Sequence, residues 1–172
     1  MIRLFKEKNA FLCTTLSPAL PYALFDRSIT NATEIEQFNG NVVFEGIIDC
    51  AKKAIANDIP VVLGNDVAVR GSRSTTSGGN SFTSINMSAV SNAFALYTAT
   101  ARAAEMAGIG AETGTIEPGK SADLIVTVEN PLEDLRALRK VEMVVTQGRK
   151  IDHPQVKINP VVAAELDQFL VE

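Results

Sequence analysis

A mixed α/β fold is predicted by two features of this 172-residue sequence: a strand, helix, strand unit in its first third, and a run of short β segments joined by tight turns towards its end. Between them, residues 69–89 fit neither a helix nor a strand.

A chain of this length can bury a real core as one domain of ordinary size. Hydrophobic residues make up 46% and charged residues 21%, which is globular usage. The net charge of -4 argues against a nucleic-acid or anionic-membrane surface, so small molecules or protein are the expected partners. No apolar run approaches the ~18 residues of a membrane span. Met1 to Lys8 mixes charges of both signs, unlike the apolar stretch of a signal peptide, and a soluble, cytoplasmic protein is expected. Cys13 and Cys50 sit in apolar segments without CxxC spacing, so both are expected to be reduced packing residues.

In chain order, Met1 to Lys8 reads as the last turns of a helix, with Ile2, Leu4 and Phe5 apolar and no N-cap residue ahead of them, as if its beginning were missing. Ala10 to Leu16 is an apolar, β-branched run that predicts a buried strand, followed by a loop punctuated by Pro18 and Pro21. A polar stretch leads to Asn41. From Val42 to Ala56, the residues Val43, Ile47, Cys50, Ala51 and Ala54 share one helical face, which Phe44 and Ile48 widen. Val61 to Gly64 is a short continuous apolar strand of the kind buried in parallel sheets.

Ser91 is placed to cap an Ala-rich helix whose predicted inner face is Leu96, Ala99, Thr100, Ala103 and Ala107, and which Gly108 and Gly110 can close. Beyond it come a turn on Pro118 and Gly119, a strand over Leu124 to Val128, and a strand over Val141 to Thr146. The last of these turns at Gln147 and Gly148 into Arg149 to Ile151. Asn159 to Val171 predicts a last helix with Leu166, Phe169 and Leu170 on its apolar face.

The segment GTIEPGKSADLIV, Gly114 to Val126, followed by NPLEDLRALRKVEMVVTQGRKI, Asn130 to Ile151, resembles the C-terminal signature of the amidohydrolase superfamily. The imidazolonepropionase-like and Xaa-Pro dipeptidase (prolidase)-like branch is the most similar. SNAFALYTATARAAEMAGI, Ser91 to Ile109, looks like the helix that leads such a chain out of its barrel, and VVLGNDVA, Val61 to Ala68, is similar to the eighth barrel strand. The resemblance implies the end of a (β/α)8 metallo-dependent hydrolase barrel plus part of a small β-sandwich built from both chain ends. On that reading residues 1–110 belong to the barrel, 111–158 to the sandwich, and 159–172 to a C-terminal helix.

Asp66 stands just past an apolar strand, where active sites of parallel barrels gather. Without context, an Asp there is more often a cap or turn residue. The resemblance implies instead that Asp66 ligates or neighbours a metal and serves as general base on the attacking water. Asn65 departs from the Thr common before that Asp. Tyr22, Phe25 and Arg27 follow the first strand, where a barrel could use them on substrate, although loop packing is the expected role. Lys120 and Asp123 lie on the sandwich side and are expected to serve the turn and the strand edge.

The family binds one or two divalent metals, zinc most commonly expected, through an HxH pair, two further histidines and often a carboxylated lysine. This chain holds one histidine, His153, before Pro154 and beyond the sandwich strands, and is expected to use it as a turn or surface residue. A lone carboxylate and a remote histidine cannot supply the three or four ligands zinc takes. The expectation is a C–N bond hydrolase represented by its C-terminal part, binding no metal by itself and inactive alone. Its partners would be a small-molecule or dipeptide-like substrate, and either further copies of itself or the missing N-terminal half. A non-catalytic oligomerising module and a degenerate gene product are the alternatives.

Residues 69–89 hold six Ser, three Thr and three Gly in 21 residues, with no acidic residue, between two family-like flanks. Their length suits the eighth barrel loop and helix and their composition suits neither. A compensated frameshift accounts for this: permitted codons for Val69 to Ala89, read one base earlier, can encode CPWVTQYDIWRELFYFHKYVG, an amphipathic aromatic segment of equal length.

Overall fold

The computed structural model describes residues 1–15, 22–23, 25–64, 90–155 and 160–168, with the side chains of Val162 and Leu166 left aside. Its first part contains α1 (Ile2–Glu7), β1 (Leu12–Thr14), a single-turn α2 (Arg27–Thr30), the long α3 (Glu34–Ala56) and β2 (Val61–Leu63). β1 and β2 pair in parallel, Leu12 opposite Val61 and Thr14 opposite Leu63, and α3 is packed on them. The predicted βαβ unit is therefore present, with β1 shorter than the predicted Ala10 to Leu16; Leu16 lies outside the described residues.

α3 begins eight residues before the predicted Val42. The polar stretch ahead of Val42 is helical because Thr33 and Glu36 form a capping box, each satisfying the other's backbone N–H at the helix start. Its inward face also differs from the predicted one. Gly40, Phe44, Ala51 and Ala54 are buried, whereas Val43 and Cys50 are exposed. Gly40 explains the tilt of that face: a Cβ there would meet the Tyr22 Cβ at 2.5 Å, so the chain entering the helix crosses it where only glycine fits. Both cysteines are exposed, which overturns the expectation that they pack in the interior.

α4 (Asn92–Ala99) starts at Ser91, whose hydroxyl accepts the Phe94 N–H at 3.2 Å as predicted. The helix breaks at Thr100, where ψ is -94°, and resumes as α5 (Ala101–Met106). That break shifts the buried positions to Ala95, Thr98 and Ala104, in place of the predicted Leu96, Ala99, Thr100, Ala103 and Ala107; Thr100 and Ala107 are exposed. Gly108, at φ +74°, closes α5 as expected.

β3 (Leu124–Thr127), β4 (Val141–Thr146) and β5 (Arg149–Asp152) form an antiparallel sheet in that order. Gln147 and Gly148 both have positive φ, +49° and +76°, which makes the β4–β5 connection the two-residue turn that suits the twist of a hairpin. A 3-10 helix over Leu135–Arg139 bridges β3 to β4. Its Leu135 joins Ala54, Ile59, Val61 and Ala95 in one apolar cluster, so the parallel pair, the helices and the bridge share a core. The closing helix α6 spans Pro160–Asp167, and Phe169 and Leu170 of the predicted face lie outside the described residues.

Among the described residues, nothing covers one face of the three-stranded sheet. Ile125, Val144 and Ile151 lie in register across it, and Ile125 is 56% and Ile151 47% exposed. A sandwich stacks a second sheet about 10 Å away on such a face.

Candidate active site

In a parallel α/β unit, chemistry gathers where the strands end at their C-terminal side. Here that edge is Thr14, which ends β1, with Thr15 after it, and Gly64 after β2. Thr14 is buried, and its hydroxyl donates to the Val62 carbonyl at 3.2 Å, tying the strands to each other. A Cβ at Gly64 would fall on the Cys13 Sγ, so the two strand ends approach as closely as a glycine allows. Asp66 follows Gly64 by two residues in the chain and, with Asn65, lies outside the described residues.

The other residues singled out in the sequence are elsewhere. Phe25 is 3% exposed. Arg27 donates to the Ala32 carbonyl at 3.2 Å and pairs with Glu34 at 3.3 Å. Arg27 thus holds the loop before α3, and Tyr22 packs on Gly40.

Lys120 donates to the Gly110 carbonyl at 2.8 Å and to Thr115, pinning the turn on Pro118 and Gly119 against the end of the preceding helix. Asp123 accepts the Gln147 N–H at 2.7 Å and lies near the Thr113 and Thr146 hydroxyls. The Gln147 N–H, with hydroxyl help from Ser121, Thr113 and Thr146, holds the Asp123 carboxyl below its ordinary value. The turn and strand-edge roles expected for both residues are what the geometry displays.

An open cleft of about 600 Å3 separates α4 and α5 from β3, lined by Ala103, Ile109, Gly114, Ile116, Leu124 and Ile125 among others. Among the described residues that line it, the one carboxylate is Asp123, already engaged by the hairpin.

The described residues do not suit a metal. Among them no group of three His, Cys, Asp or Glu could hold an ion. His153 is exposed at φ +48° just after β5, with its N–H on the Glu142 carbonyl of the antiparallel sheet at 2.9 Å. Among the described residues, no helix is long and apolar enough to cross a membrane.

Sequence reasoning missed the capping box, although Thr-Glu-Ile-Glu at residues 33–36 is its signature. It also missed the buried Thr14, which no periodicity marks.

A family model described as the amidohydrolase family matches residues 10–151. None of the curated proteins matches the chain. Among solved structures, a candidate prolidase from Bifidobacterium longum is 31% identical with a TM-score of 0.81, over 94% of this chain and 40% of that one. A Xaa-Pro dipeptidase with methionine bound in its active site is 25% identical with a TM-score of 0.72, over 88% of this chain and 36% of that one. A prolidase complexed with N-methylphosphonate-L-proline shares the fold at 22% identity and a TM-score of 0.69, over 88% of this chain and 37% of that one. The chain thus spans about two fifths of the length of these structures. The fold is that of the end of an amidohydrolase (β/α)8 barrel with part of a small β-sandwich, and the chain belongs to the amidohydrolase family.

Proposed function

We propose that this chain is the C-terminal part of a metal-dependent hydrolase of non-aromatic C–N bonds, and that it is inactive until an N-terminal part joins it. Residues 1–110 would complete the barrel, 111–158 would supply strands of the composite sandwich, and 159–172 would form a C-terminal helix. The observation that supports this most is the parallel β1–β2 pair crossed by α3, whose second strand runs in sequence into Asp66.

Asp66 is the chemical group this chain would bring. A carboxylate is ionised at neutral pH and can accept a proton from an attacking water. The ion itself, zinc by our reading, would need ligands from the other part, because the described residues hold no such set. Dipeptide-like substrates are favoured, since structural relatives carry methionine and a proline analogue.

The test compares the chain, the N-terminal part of the Bifidobacterium relative, and their mixture against dipeptides ending in proline. Hydrolysis by the mixture alone, abolished by Asp66→Asn, is the expected result. Turnover by the isolated chain, or an inert mixture in which the two parts are shown to associate, would overturn the proposal.

The row Ile125, Val144 and Ile151, uncovered among the described residues, favours a second reading, a non-catalytic oligomerising or binding module that pairs through its sheet. A degenerate gene product is the third. In both, Asp66→Asn changes nothing measurable in the mixture.

A further inference from the structure

The outward face of α3 carries an apolar stripe with no partner among the described residues. Ile35, Phe38 and Val42 follow one another at i, i+3 and i+7 and are 73%, 67% and 55% exposed. At 3.6 residues per turn they stand opposite the buried stripe of Phe44, Ala51 and Ala54. The stripe continues over Gly46, where an added Cβ would meet nothing within 4 Å, and ends on the ion pair of Asp49 with Lys53.

We propose that this face is an interface with a second copy of the chain, the two α3 helices packing antiparallel about a twofold axis at Val42. The pattern is self-complementary about that residue. Phe38 and Gly46 lie four positions on either side of it, so each copy's Phe38 seats in the notch over the other's Gly46, as an isologous contact requires.

Charge selects the direction. α3 opens with Glu34 and Glu36, carries Glu45 and Asp49 midway, and has its lysines, Lys52 and Lys53, near its end. Parallel pairing would set each acidic residue beside its own counterpart. Antiparallel pairing about Val42 brings Lys53 within about one turn of the other copy's Glu34 and opposes the helix dipoles. A single helix pair covers less than the ~1600 Å2 of a standard interface, so the association depends on protein concentration.

The experiment uses the full chain with both exposed cysteines replaced, Cys13→Ser and Cys50→Ser. In that background, Val42→Cys on the axis is expected to oxidise to a disulfide-linked dimer, and Ile35→Cys, which faces Asp49 of the other copy, is not. Sedimentation of Phe38→Glu, with helicity checked by circular dichroism, is expected to show at least about tenfold weaker self-association. Absence of the Val42→Cys crosslink, equal crosslinking at Ile35→Cys, or an undiminished dimer in a folded Phe38→Glu chain would each overturn the proposal. Pairing through the open sheet gives that last result.

Discussion

The Asp123 carboxylate receives the backbone N–H of Gln147 at 2.7 Å, so the residue just before β3 holds the turn that closes β4 onto β5. The Gly148 N–H on the Ala122 carbonyl runs alongside it at 3.1 Å. This couples the signature segment to the hairpin across 24 residues of chain.

Replacing Asp123 by Asn is therefore expected to lower the melting temperature, with a pH dependence whose sign is fixed. The folded-state pKa lies below the ordinary value because the Gln147 N–H and neighbouring hydroxyls favour the carboxylate. Its contribution is present above the unfolded pKa of about 3.9 and is lost as pH falls through the lower folded value. The gap in melting temperature between the parent chain and Asp123→Asn should be widest near neutrality and close on strong acidification. A gap independent of pH would mean that Asp123 acts by shape alone.

Thr33→Ala removes one half of the capping box that starts α3 eight residues earlier than the apolar period alone predicts. A loss of about 1 kcal/mol in denaturant unfolding is expected, with reduced helicity. Thr33→Ser should restore most of it.

Two glycines of the same helix should respond in opposite directions. Gly40→Ala drives a methyl into Tyr22 and is expected to destabilise the chain. Gly46→Ala meets open space and gains helix propensity of about 0.5–1 kcal/mol, read at concentrations where the chain is dilute. Equal effects would show that Tyr22 does not pack on Gly40.

Val62 is fully buried at the centre of the parallel pair. Val62→Ala is expected to cost about 2 kcal/mol, two methyl groups' worth of burial plus the cavity left behind. Denaturant midpoints at unchanged m-value measure this.

The frameshift reading of residues 69–89 has its own consequence. A chain carrying CPWVTQYDIWRELFYFHKYVG in place of Val69 to Ala89 is expected to gain helical signal in circular dichroism and to unfold at higher denaturant. No gain would remove the reading, as would a gene sequence whose codons cannot yield that peptide.

The β-rich end was the most legible part of the fold. Val141–Thr146, the Gln147 and Gly148 turn and the Pro118 and Gly119 turn follow from residue types whose backbone angles admit little else. The helix faces were harder to read. A periodicity drawn through Val43 and Cys50 looks apolar, but the face that turns inward is set by where Tyr22 crosses Gly40, a contact between segments far apart in local pattern. The break at Thr100 likewise moved burial from Ala99 and Ala103 to Ala95, Thr98 and Ala104. Of the candidate site, Asp66 was legible only through its strand and its resemblance. Lys120 and Asp123 could be set aside because the resemblance put them on the sandwich side, away from the end of the fold where barrel chemistry sits.

The most direct test of the central claim is the metal content of the chain after zinc loading and gel filtration, alone and bound to the N-terminal part of the Bifidobacterium relative. The account predicts no retained zinc for the chain alone, retained zinc in the complex, and its loss on Asp66→Asn. A full equivalent held by the isolated chain, or a complex whose zinc is indifferent to Asp66→Asn, would contradict it.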